Sequence, residues 1–510
     1  MPRATTQIAA GAALLAFVFC ASVGLALGVR EPALHDEFAN LLAGDTFAHG
    51  RLANPTPPAW HHFETLHVFF TPSYASKYPP GPGFTLALGQ TAGHPILGVW
   101  LGTALLCGAL AWMLAASFSA RWVAVGGLLS ILLFAGAGYW SQSYWGGSLA
   151  GAGGALVWGA ARRWCDGGAA RNAALFAVGL VILALSRPFE GLVISLPAVA
   201  AVLGSFVVAE RETPGEGLAR VRRFSRAALP ILLAWVAFMG LYNARTTGDP
   251  LRLPYQHHEE LYATVPLFSF DSARPAPTYR HDELRRFHED FEGRWLDEQG
   301  RVNTAWLNPT KLRRAASFFI GFPGALAFLA LPFALRGRWQ WLALAGVAAG
   351  SGATVYLATY GGMPHQIAPL AAPLIWLEVA CLRRWASLPV RWIGLAVVAI
   401  VLLGLADQSL RRVGRHPRSD DHWSTQRARI VGQLEALPSR DLVVVRYGPR
   451  HNIHQEWVYN AASLDDAEVV WARSMGPDRD AALLEAFPER RAWRLRVGAD
   501  SFAPELEPLR

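Results

Sequence analysis

Residues 172–208 read NAALFAVGLVILALSRPFEGLVISLPAVAAVLGSFVV. As one unbroken helix this run would be about 55 Å long, nearly twice the hydrocarbon thickness of a bilayer. Its middle, Ser186-Arg187-Pro188-Phe189-Glu190-Gly191, holds two charges, a proline and a glycine. Charges are costly in hydrocarbon, and proline breaks a helix interior. The stretch is therefore read as two membrane-crossing helices, near 172–186 and 189–208, joined by a turn at the surface.

The same reading extends in both directions. Apolar segments of the length a bilayer requires fall near 6–29, 94–117, 122–140, 146–161, 228–244, 315–335, 339–358, 366–382 and 392–408. The expected fold class is mostly α: a polytopic membrane bundle of about eleven transmembrane helices. The first segment has no clean small-residue cleavage site and is expected to remain as a span. Composition agrees, since 52% of the 510 residues are hydrophobic and 16% are charged; soluble chains carry roughly 25% charge. This excludes a disordered chain, a nucleic-acid-binding domain and a typical cytosolic enzyme. The net charge of +8 lies in short arginine clusters between apolar runs and speaks of topology, with no nucleic acid as partner.

With the N-terminus in the cytoplasm, the inner loops carry Arg3, Arg121, Arg162, Arg163, Arg171, Arg211, Arg220, Arg222, Arg223, Arg226, Arg336, Arg338, Arg383, Arg384 and Arg391, and the short outer loops carry Arg187 alone. That asymmetry sets the orientation. Three large segments then face outward, 30–93, 245–314 and 409–510. The first two belong with the membrane domain, 1–410. Residues 411–510 are expected to form a small soluble α/β domain on the outer side. Asp441–Tyr447 (DLVVVRY), Ala467–Ala472 (AEVVWA) and Ala492–Val497 (AWRLRV) read as strands, and His454–Ala461 and Asp478–Ala486 as helical patterns. The four cysteines, Cys20, Cys107, Cys165 and Cys381, avoid the long polar stretches, which argues against a disulfide framework or a cysteine metal site.

The first outer segment carries the chemistry-bearing motifs. His35-Asp36-Glu37-Phe38 places a carboxylate pair just past the first span, as a general base or metal ligand, or as the N-cap of an amphipathic helix. Tyr74-Ala75-Ser76-Lys77-Tyr78-Pro79-Pro80-Gly81-Pro82-Gly83 is a stiff, non-helical loop. It holds Lys77, one of only two lysines, either toward a lipid phosphate or snorkelling at the interface. His61-His62-Phe63-Glu64-Thr65-Leu66-His67 offers His62, Glu64 and His67 to a divalent metal, or forms a hydrogen-bonded loop. Arg187, beside Glu190, and Arg245, just past another span, are phosphate candidates. In the loop Tyr360–Gln366, His365 and Gln366 can touch a sugar or phosphate, or simply line a turn. The cytoplasmic loops are short, and no glycine-rich phosphate loop follows a strand.

In order and sidedness these motifs resemble the GT-C superfamily of polytopic glycosyltransferases, which includes protein mannosyltransferases and the bacterial aminoarabinose transferases. The resemblance rests on Asp36-Glu37, a following juxtamembrane helix ending Gly50-Arg51, Lys77-Tyr78-Pro79-Pro80, the run Arg187–Gly191, and Pro364-His365-Gln366-Ile367-Ala368-Pro369. It implies an inverting transfer from a polyprenyl-phosphate sugar to a glycolipid, glycan or protein acceptor, outside the bacterial cytoplasmic membrane. Asp36, with Glu37, would be catalytic; Lys77, Arg187 and Arg245 would bind the donor phosphate; Tyr78, Glu190, His365 and Gln366 would bind substrate. Ser76 stands where the aminoarabinose transferases carry an acidic metal ligand, leaving Glu64 or His62 to substitute if a divalent ion is used. Three other readings stay open: an O-antigen-ligase-like enzyme using Arg252, His257, His258 and Arg280; a lipid or sugar transporter; and a non-catalytic scaffold.

Overall fold

The computed structural model describes residues 3–136, 138–414, 422–498 and 504–509. Among the described residues five helices are long and apolar enough to cross a membrane: Arg3–Leu27, Pro95–Leu114, Pro188–Glu212, Glu216–Thr247 and Arg391–Val413. Shorter apolar helices, Ala120–Ala135 and Ala170–Ala184, pack among them. The chain is a mostly helical, multi-pass membrane protein.

The break read at Ser186–Gly191 is present. Helix Ala170–Ala184 closes on Leu185, and Arg187 is the N-cap of Pro188–Glu212, with Pro188 in the first turn. There the missing proline N–H costs nothing, because the first helical amides have no intrahelical partner. The expected span near 315–335 is instead three short helices, Thr304–Phe319, Gly321–Phe328 and Leu331–Ala334. Gly321 has φ +62°, a left-handed turn that interrupts the helix at that point.

The first outer segment is more ordered than a loop. Helix His35–Ala48 lies against helix Pro80–Thr91. The contact is close because Gly83 has no Cβ, which would otherwise sit 2.7 Å from the Phe47 ring and 2.8 Å from Ala43. Between them the strands β1 (Val68–Phe69) and β2 (Ala75–Ser76) pair antiparallel, with Val68 opposite Ser76.

At the C-terminus, β3 (Asp441–Tyr447), β4 (Val469–Arg473), β5 (Arg491–Val497) and β6 (Glu505–Pro508) form a sheet of order β4-β3-β5-β6. The pairs β3–β4 and β3–β5 are parallel, and β6 runs antiparallel to β5. Helix Trp423–Glu435 precedes β3, and Pro477–Ala486 joins β4 to β5. The helical pattern expected at His454–Ala461 is not a helix. Asn460 pairs both ways with the Trp471 backbone at 2.8 Å, and Trp457, Val458 and Tyr459 enter the core beside Trp471 and Leu495.

The sheet packs against the first outer segment. Leu442, Val444, Val470 and Leu483 share one core with Ala39, Leu42, Phe63, Phe70, Tyr74 and Tyr78 of the first outer segment. Phe38 stacks on Tyr459 at 4.3 Å. The C-terminal region thus roofs the helix that carries Asp36.

Candidate active site

Asp36 and Glu37 are neighbours with different duties. The N-cap of helix His35–Ala48 is Leu34, whose side chain cannot cap. Glu37 supplies the cap: its Oε2 accepts the Ala33 and Leu34 amides at 3.0 and 3.2 Å, and its Oε1 accepts the Tyr144 amide at 3.1 Å. This is the reach-back half of a capping box. Both oxygens of Glu37 are spent on backbone amides. Asp36 is left free to face the interior.

There the Tyr78 hydroxyl donates to Asp36 Oδ1. His35 Nδ1 lies 2.9 Å and His67 Nε2 3.8 Å from Oδ2. Burial alone would raise the Asp36 carboxyl, but His67 and His35 outweigh it and hold it well below the usual carboxylate range. Burial and the nearby Lys77 push His67 well below its ordinary value. Burial, with Asp36 close by, raises the Tyr78 phenol, so it keeps its proton and donates.

The β1–β2 register brings Lys77 to the same place. Because Val68 faces Ser76, the next pair outward is His67 and Lys77, and the Lys77 amide donates to the His67 carbonyl at 3.0 Å. His67 has φ +66°, a backbone state costly for a residue with a Cβ. Lys77 is only 4% exposed, which removes the snorkelling reading. Its Nζ lies 4.7 Å above the Tyr255 ring and 3.6 Å from Glu259 Oε1.

Arg187 approaches from the helix break. Its charge acts on Tyr78, Tyr255 and His365, and Glu190 lies beside it. The Gly81 amide donates to the Leu185 carbonyl at 2.7 Å, so the first turn of helix Pro80–Thr91, which follows Lys77, rests on the turn bearing Arg187. His365 stacks on Trp145 at 4.5 Å, and its Nδ1 lies 2.6 Å from the Tyr139 hydroxyl. Asp36, Lys77, Tyr78, Arg187, Glu190 and His365 therefore gather in one region.

Four expected residues do not join them. Arg245 lines a separate groove of about 500 Å³ with Arg51 and Leu241. Gln366 accepts the Met363 amide at 2.8 Å and closes its own turn. His62 Nδ1 contacts the Arg473 carbonyl at 2.8 Å, and Glu64 binds Arg280 and Tyr262. The trio His62, Glu64 and His67 is thus split. Residues Trp60–His62 form a 3₁₀ turn and Val68–Phe69 a strand, so this stretch never presents one helical face. Among the described residues the group placed to hold a divalent ion is His35, Asp36 and His67, with ligand atoms within 4.8 Å of one another.

Sequence reading missed Tyr255, Glu259, His35 and His454. The first two come from helix Pro254–Tyr262. His454 Nδ1 lies 3.5 Å from His35 Nε2. Only the histidine-rich run at 257–258 hinted at the former, and nothing local marked His454. Of the residues behind the ligase-like reading, Arg252 pairs with Glu260, His257 with the Thr71 carbonyl and Arg280 with Glu64, while His258 is buried with neither ring nitrogen hydrogen-bonded among the described residues.

No protein-family model matches the chain, and no curated protein matches it in sequence. Solved structures do match. ArnT from Cupriavidus metallidurans bound to undecaprenyl phosphate superposes with TM-score 0.52 at 14% identity, covering 95% of this chain and 92% of that one. Its apo state gives 0.51 at the same identity and coverage. The Archaeoglobus fulgidus oligosaccharyltransferase tethered to an acceptor peptide gives 0.49 at 8% identity, covering 95% of this chain and 68% of that one. The GT-C resemblance read from the motifs is met at the level of fold: this chain is built as ArnT is.

Proposed function

We propose that the chain is an inverting glycosyltransferase that moves a sugar from a polyprenyl-phosphate donor to an acceptor hydroxyl at the outer face of the bacterial inner membrane. About eleven spans, a cytoplasmic N-terminus and an outer C-terminal region belong to this reading. The observation that carries it is the meeting of one ionised carboxylate, Asp36, with two cations far apart in sequence, Lys77 and Arg187.

The chemistry follows from those charges. The acceptor oxygen attacks the anomeric carbon opposite the phosphate, and the bond from that carbon to the phosphate oxygen breaks. Negative charge grows on the departing phosphate, where Lys77 and Arg187 stabilise it in a site shielded from water. Asp36 takes the acceptor proton, a contribution of about 10²–10⁴ in rate. A single displacement inverts the anomeric centre. Tyr78 fixes the orientation of the Asp36 carboxylate.

A divalent ion, where the chain uses one, would be held by His35, Asp36 and His67. Two imidazoles and a carboxylate suit a divalent transition metal, and His67 Nε2 faces Asp36 Oδ2 at 3.8 Å. Bound there, the ion would supply Lewis-acid polarisation of an oxygen.

The test is Asp36→Asn expressed in cells that lack the native chain. The expected result is a surface-glycan mass profile matching the knockout, while the purified variant still binds a polyprenyl-phosphate sugar. A wild-type glycan profile in that variant would overturn the assignment.

A further inference from the structure

The groove that holds Arg245 lies at the depth of a lipid headgroup. Helix Glu216–Thr247 is continuous, and Arg245 stands about 28 Å along its axis from Arg226. That is close to the roughly 30 Å of the hydrocarbon layer, and no charged residue lies between the two. Leu233, Val236 and Leu241 are exposed along this stretch, and Leu241, one turn before Arg245, also lines the groove. The groove, of about 500 Å³, therefore meets lipid on one side and the first outer segment, with Arg51, Asn54 and Ser73, on the other.

Its chemistry is that of an unanswered cation. Among the described residues no Asp or Glu lines it, and neither arginine makes a side-chain hydrogen bond or ion pair. Arg51 is not a solvated surface charge, because it is half-buried and its Nε is shut off from water with no partner. Asn54, only 2% exposed, adds a fixed acceptor. Its Nδ2 donates to Thr46 Oγ1 at 2.8 Å and to the Tyr74 carbonyl at 3.2 Å. Both amide hydrogens are spent, the flip is settled, and Oδ1 is left buried with no partner. Guanidiniums match phosphate oxygens, and basic recesses between membrane helices take anionic lipid headgroups.

We propose that this groove binds an anionic glycerophospholipid of the bilayer, its phosphate taken by Arg51 and Arg245 and a headgroup hydroxyl by Asn54. Phosphatidylglycerol has that chemistry. A zwitterionic headgroup would bring an ammonium for which the lining has no carboxylate. A polyprenyl-phosphate donor would have to meet Asp36 and Lys77, and neither lines the groove. The bound lipid would join the outer segment to the end of the helix, where the Ser73 hydroxyl already donates to the Thr246 carbonyl at 2.7 Å. The inference does not depend on the transferase reading.

The experiment uses the full-length chain, purified in detergent and delipidated. Native mass spectrometry measures binding of phosphatidylglycerol, phosphatidylethanolamine and phosphatidylcholine with matched acyl chains. Phosphatidylglycerol should bind about tenfold more tightly than the other two, and Arg51→Gln and Arg245→Gln should each remove about that factor. Arg245 is exposed, so its variant should keep the wild-type melting point. Arg222→Gln, at the other end of the helix, should bind phosphatidylglycerol as wild type does. Equal affinity for the three lipids, unchanged binding in both groove variants, or the same loss in Arg222→Gln would each overturn the proposal. Two further arms separate the sources of phosphate. Displacement of the lipid by millimolar glycerol 1-phosphate would assign the groove to a soluble phosphate ester instead. Loss of polyprenyl-phosphate binding in Arg245→Gln would make it a donor site. Neither is expected, and either would sink the phospholipid assignment.

Discussion

At the scale of single residues, position decides what a carboxylate does. Asp36 and Glu37 are adjacent, yet one faces imidazoles and a phenol while the other is exhausted by three backbone amides. Glu259 is a third case. Burial drives its carboxyl up to about 7; Lys77 pulls it down, and Glu292 adds to the rise. Above that pH Glu259 is ionised and holds the Lys77 ammonium; below it Glu259 is neutral and Lys77 is free. A donor phosphodiester keeps one negative charge throughout this range. Donor affinity should therefore fall as pH rises from about 6 to about 8, by several-fold, as Glu259 reclaims Lys77. In Glu259→Gln, titration of donor binding should be flat over the same interval and should exceed wild type at the alkaline end. A wild-type affinity independent of pH would rule out the latch.

At the scale of elements, what was legible depended on whether the cause was local. Hydropathy marked the long helices, and Pro188 with its flanking charges marked the break, because burial in lipid and helix chemistry act over a few residues. Two of the parallel strands were legible from their valine runs, and the third, AWRLRV, from its alternation of apolar residues with arginines. The run 454–461 was misread because Asn460 finds its partner in Trp471, on a neighbouring segment. The metal trio failed because its spacing says nothing about a turn followed by a strand. Lys77 and His67 meet through a two-residue strand pair that no periodicity reveals. The proline-glycine run was read as a non-helical loop, but Pro80–Gly83 form the first turn of helix Pro80–Thr91, where prolines are tolerated, and its support was not visible. A Cβ on Gly81 would stand 2.6 Å from the Leu185 carbonyl oxygen, a backbone atom that cannot swing aside. Gly81→Ala should therefore cost about 1–3 kcal/mol and lower both the thermal midpoint and transfer. Gly240→Ala, which meets nothing within 4 Å, should leave both unchanged. Equal melting curves for the two variants would show that this first turn does not lean on the turn bearing Arg187.

At the scale of the whole molecule, the outer segments and the sheet form a single roof. Phe38, Leu42 and Tyr78 share cores with the C-terminal residues, so removal of the sheet would expose the apolar face of the helix bearing Asp36. The sheet belongs to the construction of the site. The whole scheme also requires one sidedness, and helix Glu216–Thr247 can report it. At 32 residues it is about 48 Å long, more than the roughly 30 Å hydrocarbon layer. Its first half carries Arg220, Arg222, Arg223 and Arg226, and its second leads into the segment that supplies Glu259. The arginine-rich end should stay in the cytoplasm. Thr213 and Leu251, both exposed, flank the helix. In a cysteine-free background, a membrane-impermeant maleimide applied to intact spheroplasts should label Leu251→Cys and leave Thr213→Cys unlabelled until the membrane is opened. The reverse pattern would put Asp36, Lys77 and Glu259 on the cytoplasmic side, where the proposed reaction cannot take place.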